Sequence, residues 1–251
     1  MPQRMEPQNR QGGLLPRFGF LQLISEVIFP FHESGIDDMS DERSPSDGSP
    51  SSPVLDRDYW QGRYEAGTTG WDRGSASPAL EAWLSSGALA PCRILVPGCG
   101  RGHEVVALAR AGFRVTGLDY ASTAVEALRA RLAEDRLDGE VVEADLLAWE
   151  PDAPFDAVYE QTCLCALSPG CWKDYEHRLA SWLVPGGSLA AAFMQTDSPS
   201  GPPFTCAPEA MRRLFAADRW EWPEELTPVK HPMGLVELTG ILRRRPPPTR
   251  A

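Results

Sequence analysis

The chain has 251 residues, 42% of them hydrophobic, and a formal net charge of -11. That length suits one α/β domain with an appendage, or two small domains, with apolar residues enough for one large core. So acidic a chain lacks a broad cationic face to displace nucleic-acid counterions, which argues against DNA and RNA as partners.

Residues 1 to about 52 differ in kind from the rest. Their most apolar run, FGFLQLISEVIFPF, is short, carries Gln22, Glu26 and Pro30, and has no small-residue cleavage site after it. Neither a membrane span nor a secretory leader is therefore expected. The stretch DDMSDERSPSDGSPSSP has almost nothing to bury, a composition that stays disordered. Nothing before Met39 couples to the pattern after it, so Met39 is expected to be the natural start and the preceding residues a mis-called extension.

From Asp56 onward helical and strand patterns alternate. Residues 53–90 are expected to hold an N-terminal segment and a first helix. In that helix Ser77 and Pro78 are the cap and first position of ALEAWLSS, and Gly87 is the stop. Residues 91–246 form the core. RILV is a buried strand, followed by a glycine turn and a helix to Ala111. FRVTGLD is a second strand. Ser122 and Thr123 are expected to cap AVEALRARLAED, whose Val125, Leu128 and Leu132 share one face. EVVEAD and FDAVYE are third and fourth strands. The amphipathic WKDYEHRLASWL stops at Pro185, and SLAAAFM is a fifth strand. EAMRRLF is a short helix. Trp220–Trp222 and LVELTGILR, with no helix between them, complete seven strands as an antiparallel edge. Arg243 to Arg245, the one dense basic run, end the last strand before a disordered tail at 247–251. Strands alternating with helices predict a doubly wound, mostly parallel sheet.

Six cysteines without a C-x-x-C pair read as reduced thiols in the cytoplasm. Cys163, Cys165 and Cys171, with His177 beyond, fit no zinc spacing. They are expected to pack as small apolar residues, with no metal bound.

The turn in RILVPGCGRGHEVVALA narrows the ligand. Gly98, Gly100 and Gly102 read G-x-G-x-G, and His103 stands where the third glycine of a dinucleotide fingerprint belongs. No Gly-Lys-Ser/Thr follows, so a P-loop is excluded. S-adenosylmethionine has no pyrophosphate, and its amino-acid end needs close backbone approach, which glycine permits. Its ribose wants a carboxylate at the end of the second strand, where Asp119 stands. Its adenine wants an acceptor and an N–H at the end of the third, where Asp145 and Leu146 stand. A dehydrogenase would share Asp119, so the second acid in register discriminates.

On these residues the chain resembles the thiopurine S-methyltransferase family, including its plant thiol/halide methyltransferase branch. The likeness covers about Asp56 to Arg244 and rests on DYWQGRYEAGTTGWDRG, LVPGCGRGHEVVALA, GLDYASTAVEAL, FDAVYEQTCLCALSP and GPPF. The resemblance implies a class I methyltransferase fold and methyl transfer from S-adenosylmethionine to a small soft nucleophile. It implies that Trp60 and Trp71 fold over the donor, with Tyr64 where the plant branch has a third tryptophan. Gly98, Asp119, Asp145 and Leu146 match donor contacts, and Gly100 shares the turn. Gln161, bordering the transferred methyl, replaces a tyrosine of the plant branch and an arginine of the thiopurine branch.

A thiolate needs no strong base once deprotonated, and the sequence offers no clear one. Tyr159, Glu160 and Gln161 are pocket candidates, with a structural role at the strand end favoured for Glu160, and His103 is read as an exposed or helix-terminal residue. Phe204, after the stiffening Pro202 and Pro203, is expected to close the acceptor side. A monomer acting on a free small molecule is expected. Two other classes stay open: a methyltransferase of other acceptors and a non-catalytic donor-binding protein.

Overall fold

Capping chemistry sets the first helices. In the computed structural model, which describes residues 54–247, Asp56 accepts the Tyr59 N–H and opens α1 (Arg57–Glu65). The expectations for residues 1–52 and for the last four residues lie outside the described residues. The Ser77 hydroxyl accepts the Ala79 N–H, Pro78 takes the first position, and Gly87 closes α2 (Pro78–Ser86) in the left-handed region at φ 72°.

Then come β1 (Arg93–Pro97), α3 (His103–Arg110), β2 (Arg114–Asp119), α4 (Ser122–Asp135), β3 (Glu140–Glu143) and β4 (Phe155–Gln161). They are followed by α5 (Trp172–Trp182), β5 (Leu183–Gln195), α6 (Pro208–Leu214), β6 (Trp220–Glu221), β7 (Thr227–Lys230) and β8 (Val236–Arg244). The sheet order is β3-β2-β1-β4-β5-β8-β6, with β7 also on β8. Pairs from β3 to β5 are parallel, and those made by β8 are antiparallel.

Alternation along β1 assigns the two faces: Ile94 and Val96 pack with α2, α3 and α4, while Leu95 packs with α5 and α6. Both faces are thus covered, as the doubly wound reading requires.

The details depart from expectation in four places. The sheet has eight strands rather than seven, because Thr227–Lys230 pairs with Val236–Thr239. Pro228 hid that strand by breaking its pattern, yet it is tolerated on a strand with a free edge. Trp220–Glu221, expected as half of the closing hairpin, meets β8 only at Arg244 and Arg243. The helix cap of α4 is also borrowed. Ala121 is its cap residue and bonds through no side chain; Gln61 of α1 accepts the Thr123 N–H at 3.2 Å and the Ser122 hydroxyl at 3.3 Å instead. Finally, Pro185-Gly186-Gly187 does not precede the fifth strand but lies inside it, where the β4–β5 register shifts between Phe155 and Ala157.

Strand order reverses between β1 and β4, and open α/β sheets bind ligands outside the carboxyl ends of strands at such a point.

Candidate active site

The glycine turn leaves β1 at this switch point. Gly98 and Gly100 have φ of 58° and 51°, a region that disfavours side chains. A Cβ on Gly98 would stand 2.8 Å from the Cys163 sulfur, and one on Gly100 2.6 Å from the Tyr64 hydroxyl oxygen. The backbone is bare because neighbours press on it from both sides.

Asp119, at the end of β2, is buried and already engaged. Its Oδ2 accepts the Gly100 N–H and its Oδ1 the Ala121 N–H, both at 2.9 Å. Burial raises its pKa, while these backbone donors pull it down. Each oxygen keeps a further lone pair for a ligand hydroxyl. Asp145 lies two residues beyond β3; its Oδ1 accepts the Leu147 N–H at 2.8 Å, which orients the carboxylate. Asp119, Asp145, Leu146 and Gly98 all line one cavity of about 680 Å³.

The N-terminal segment forms another wall of that cavity. Trp60, Tyr64 and Trp71 line it and meet edge to face, with centroids 5.5 Å apart for Trp60–Trp71 and 5.9 Å for Tyr64–Trp71. Burial, then the Asp119 charge, raises the Tyr64 phenol, so it stays protonated. Polar ties bind the segment to the body. His103 Nε2 lies 2.8 Å from Asp72, while Arg131 donates to its Nδ1 at 2.8 Å. His103 does stand at the start of α3, as the helix-terminal reading has it, but it is a part-buried clasp rather than an exposed residue. Arg73 pairs with buried Glu237 of β8 at 2.8 Å.

The remaining candidates lie away from the large cavity. Tyr159 is in the core, edge to face with Trp83 at 6.2 Å, and does not line the large cavity. Its hydroxyl donates to Gln161 Oε1 at 2.7 Å, and Gln161 Nε2 donates to both Glu237 oxygens, at 2.9 and 3.1 Å. Gln161, Tyr159, Gly100 and Arg73 line a smaller cavity of about 60 Å³, which shares Gly98, Tyr64 and Trp71 with the large one. Phe204 stands behind the wall. Pro202 and Pro203 line the large cavity, whereas the Phe204 ring packs on Gly201 and its N–H donates to the Cys165 carbonyl at 2.7 Å.

Sequence reading missed Arg73, Glu237, Gln61 and His231. A lone acid in the apolar run LVELTGIL was the available signal for Glu237. Glu160 holds the turn after β4 by accepting the Leu164 N–H at 2.7 Å, and burial pushes its pKa up to about 7. All six cysteines are free, four of them buried. Among the described residues no cluster of three metal-ligating side chains occurs, and no helix is long and apolar enough to cross a membrane.

Comparison with known proteins decides the family. The family model described as thiopurine S-methyltransferase matches residues 55–227. The chain belongs to the thiopurine S-methyltransferase family. Within it, the chain is 36% identical over 146 residues to a probable thiol methyltransferase 2 of Arabidopsis thaliana, covering 57% of this chain and 65% of that one. It is 30% identical over 183 residues to a thiopurine S-methyltransferase of Xanthobacter autotrophicus, covering 65% and 85%. The fold is similar to that of a Burkholderia thailandensis 1,6-didemethyltoxoflavin-N1-methyltransferase solved with its substrate and S-adenosylhomocysteine. That likeness has a TM-score of 0.65 and 21% identity, over 78% of this chain and 93% of that one. The class I methyltransferase architecture is thus common to this family member and enzymes of other acceptors.

Proposed function

We propose that this protein is an S-adenosylmethionine-dependent methyltransferase acting on a small soft nucleophile: a thiol, thiopurine, sulfide or halide. The observation that carries it is the meeting of Asp119 and Asp145, from the ends of adjacent strands, on one cavity beside the glycine turn and under Trp60 and Trp71. The cavity fits the donor: its volume is within the usual range for ligand pockets, and the bare turn admits close approach.

Asp119 takes the ribose hydroxyls, and Asp145 with the Leu146 N–H takes the adenine. Gly98 and Gly100 pass under the amino-acid end, near Gln161 and Arg73 in the smaller cavity. When bound, S-adenosylmethionine supplies an electrophilic methyl on a sulfonium. Trp60, Trp71 and Tyr64 cover that charge with ring faces and exclude water, so the acceptor is held in line by positioning. Residues 53–90 act as this cover and first helix, and residues 91–246 as the donor-binding core. We place the protein in the cytoplasm, as a monomer on a free acceptor and without nucleic acid, on the grounds of its free thiols and acidic charge.

Calorimetric titration with S-adenosylmethionine and S-adenosylhomocysteine tests donor binding. S-adenosylhomocysteine release with thiols, sulfide, iodide and a thiopurine tests transfer. Absence of donor affinity overturns the reading; affinity without turnover on any acceptor reduces it to a binding protein.

A further inference from the structure

The large cavity changes chemistry across the sheet. Over β2 and β3 its wall carries Asp119 and Asp145. Over β4, β5 and the β7–β8 turn it carries Cys163, Cys165, Met194 and Met233, closed by Pro202 and Pro203. His231 belongs to this sulfur-lined half.

The turn holds that histidine firmly. Its N–H donates to the Leu235 carbonyl at 2.9 Å, its carbonyl accepts the Gly234 N–H at 3.0 Å, and its Nδ1 accepts the Met233 N–H at 3.3 Å. The residue is 4% exposed, and its Nε2 is buried without a partner. Four other buried side-chain polar atoms lack partners among the described residues: Arg73 Nε, Glu160 Oε2, the Tyr175 hydroxyl and Trp182 Nε1. None of those residues lines the large cavity. With Nδ1 accepting, a neutral ring carries its hydrogen on Nε2, as a donor with nothing to donate to. Burial, then the charge of Arg73, lowers the pKa to about 4, which keeps the ring neutral.

We propose that His231 determines acceptor specificity: its Nε2–H donates to the nucleophilic atom of the acceptor in its anionic form and seats that atom in the sulfur-lined half. The inference rests on the methyltransferase reading. A neutral thiol sulfur is a poor hydrogen-bond acceptor, whereas an anion bonds strongly to an N–H donor. The lining suits weakly hydrated anions. Cys163, Cys165, Met194 and Met233 offer no cation to a carboxylate, and the cations bordering the cavity are occupied elsewhere: Arg57 is paired with Glu143, and Arg63 stacks on Trp71. A thiol leaves its proton in solvent. Its sulfur electron pair then bonds to the methyl carbon, while the carbon–sulfonium electrons stay on the donor sulfur.

The test uses the full chain with His231→Leu and His231→Gln, reading KM and kcat for iodide and thiocyanate, anions that carry no proton at neutral pH. His231→Leu is expected to raise KM about tenfold, the loss of one hydrogen bond to a charge, with kcat and S-adenosylhomocysteine affinity within about twofold. His231→Gln, which keeps an N–H donor, is expected to restore most of that loss. Unchanged KM in His231→Leu, or a parallel fall in donor affinity, overturns the inference. Should His231→Leu fail to fold, His231→Phe, which keeps a ring and removes the N–H, decides on the same readout: a raised iodide KM with donor affinity kept supports the inference, and an unchanged KM overturns it. Wild type that binds donor but turns over neither iodide nor thiocyanate refutes His231's role alone; wild type without donor affinity removes the reading beneath it.

Discussion

Asp119 accepts two backbone N–H groups before any ligand arrives, so it shapes the turn as well as offering itself to a ribose. In Asp119→Asn the amide NH2 would face one of those donors, leaving a buried N–H unpaired. Donor affinity is expected to fall at least about tenfold and stability by roughly 1–3 kcal/mol. Asp145 is exposed, so Asp145→Ala should lower donor affinity by about the same factor with stability nearly unchanged. Calorimetry and urea unfolding on both variants check the contrast. Glu160 sets a pH dependence. Its folded pKa of about 7 lies above the ordinary 4.5, so its contribution is fully present below pH 4.5 and is lost as pH rises through 7. Between pH 4.5 and 8 this carboxyl should remove on the order of 3 kcal/mol of stability. Glu160→Gln keeps an acceptor for the Leu164 N–H and should flatten that part of the urea-midpoint profile.

The elements are tied by groups that no local pattern couples. The carboxamide of Gln61 caps α4 from α1, and Gln61→Ala should cost about 1 kcal/mol, read as a lower denaturant midpoint. Arg73 and Glu237, 164 residues apart, join the segment after α1 to β8, with Gln161 on the same carboxylate. Breaking one side leaves a buried charge, so Arg73→Met should destabilise by about 3–5 kcal/mol. Arg73→Met with Glu237→Leu should recover much of that loss, and a double-mutant cycle by chemical unfolding checks it. The strands β1, β2, β4 and β5 were legible because buried apolar runs bounded by glycine or proline are local signals, and β3 because its paired valines follow a glycine. β7 was not, because a proline in a four-residue edge strand erases the alternation that announces a strand.

For the whole molecule, donor occupancy should act as a global clamp, since the cavity is lined from α1, from the ends of β1, β2 and β3, and from the β7–β8 turn. At a hundredfold excess over its Kd, S-adenosylhomocysteine should stabilise by about 2.7 kcal/mol and raise Tm by roughly 5–10 °C, a shift measurable by scanning calorimetry. By itself the sequence determined the doubly wound sheet, the helix stops and the glycine turn, and it put carboxylates at two successive strand ends. Those properties depend on hydrophobic period and allowed φ, which neighbouring residues dictate. Only the tertiary structure decided that Tyr159 lies in the core, that Phe204 stands behind its prolines, and that His231 lines the large cavity with an unpartnered nitrogen. Which side chains meet across the sheet depends on strand order and register, and these arise from packing the whole chain around one core.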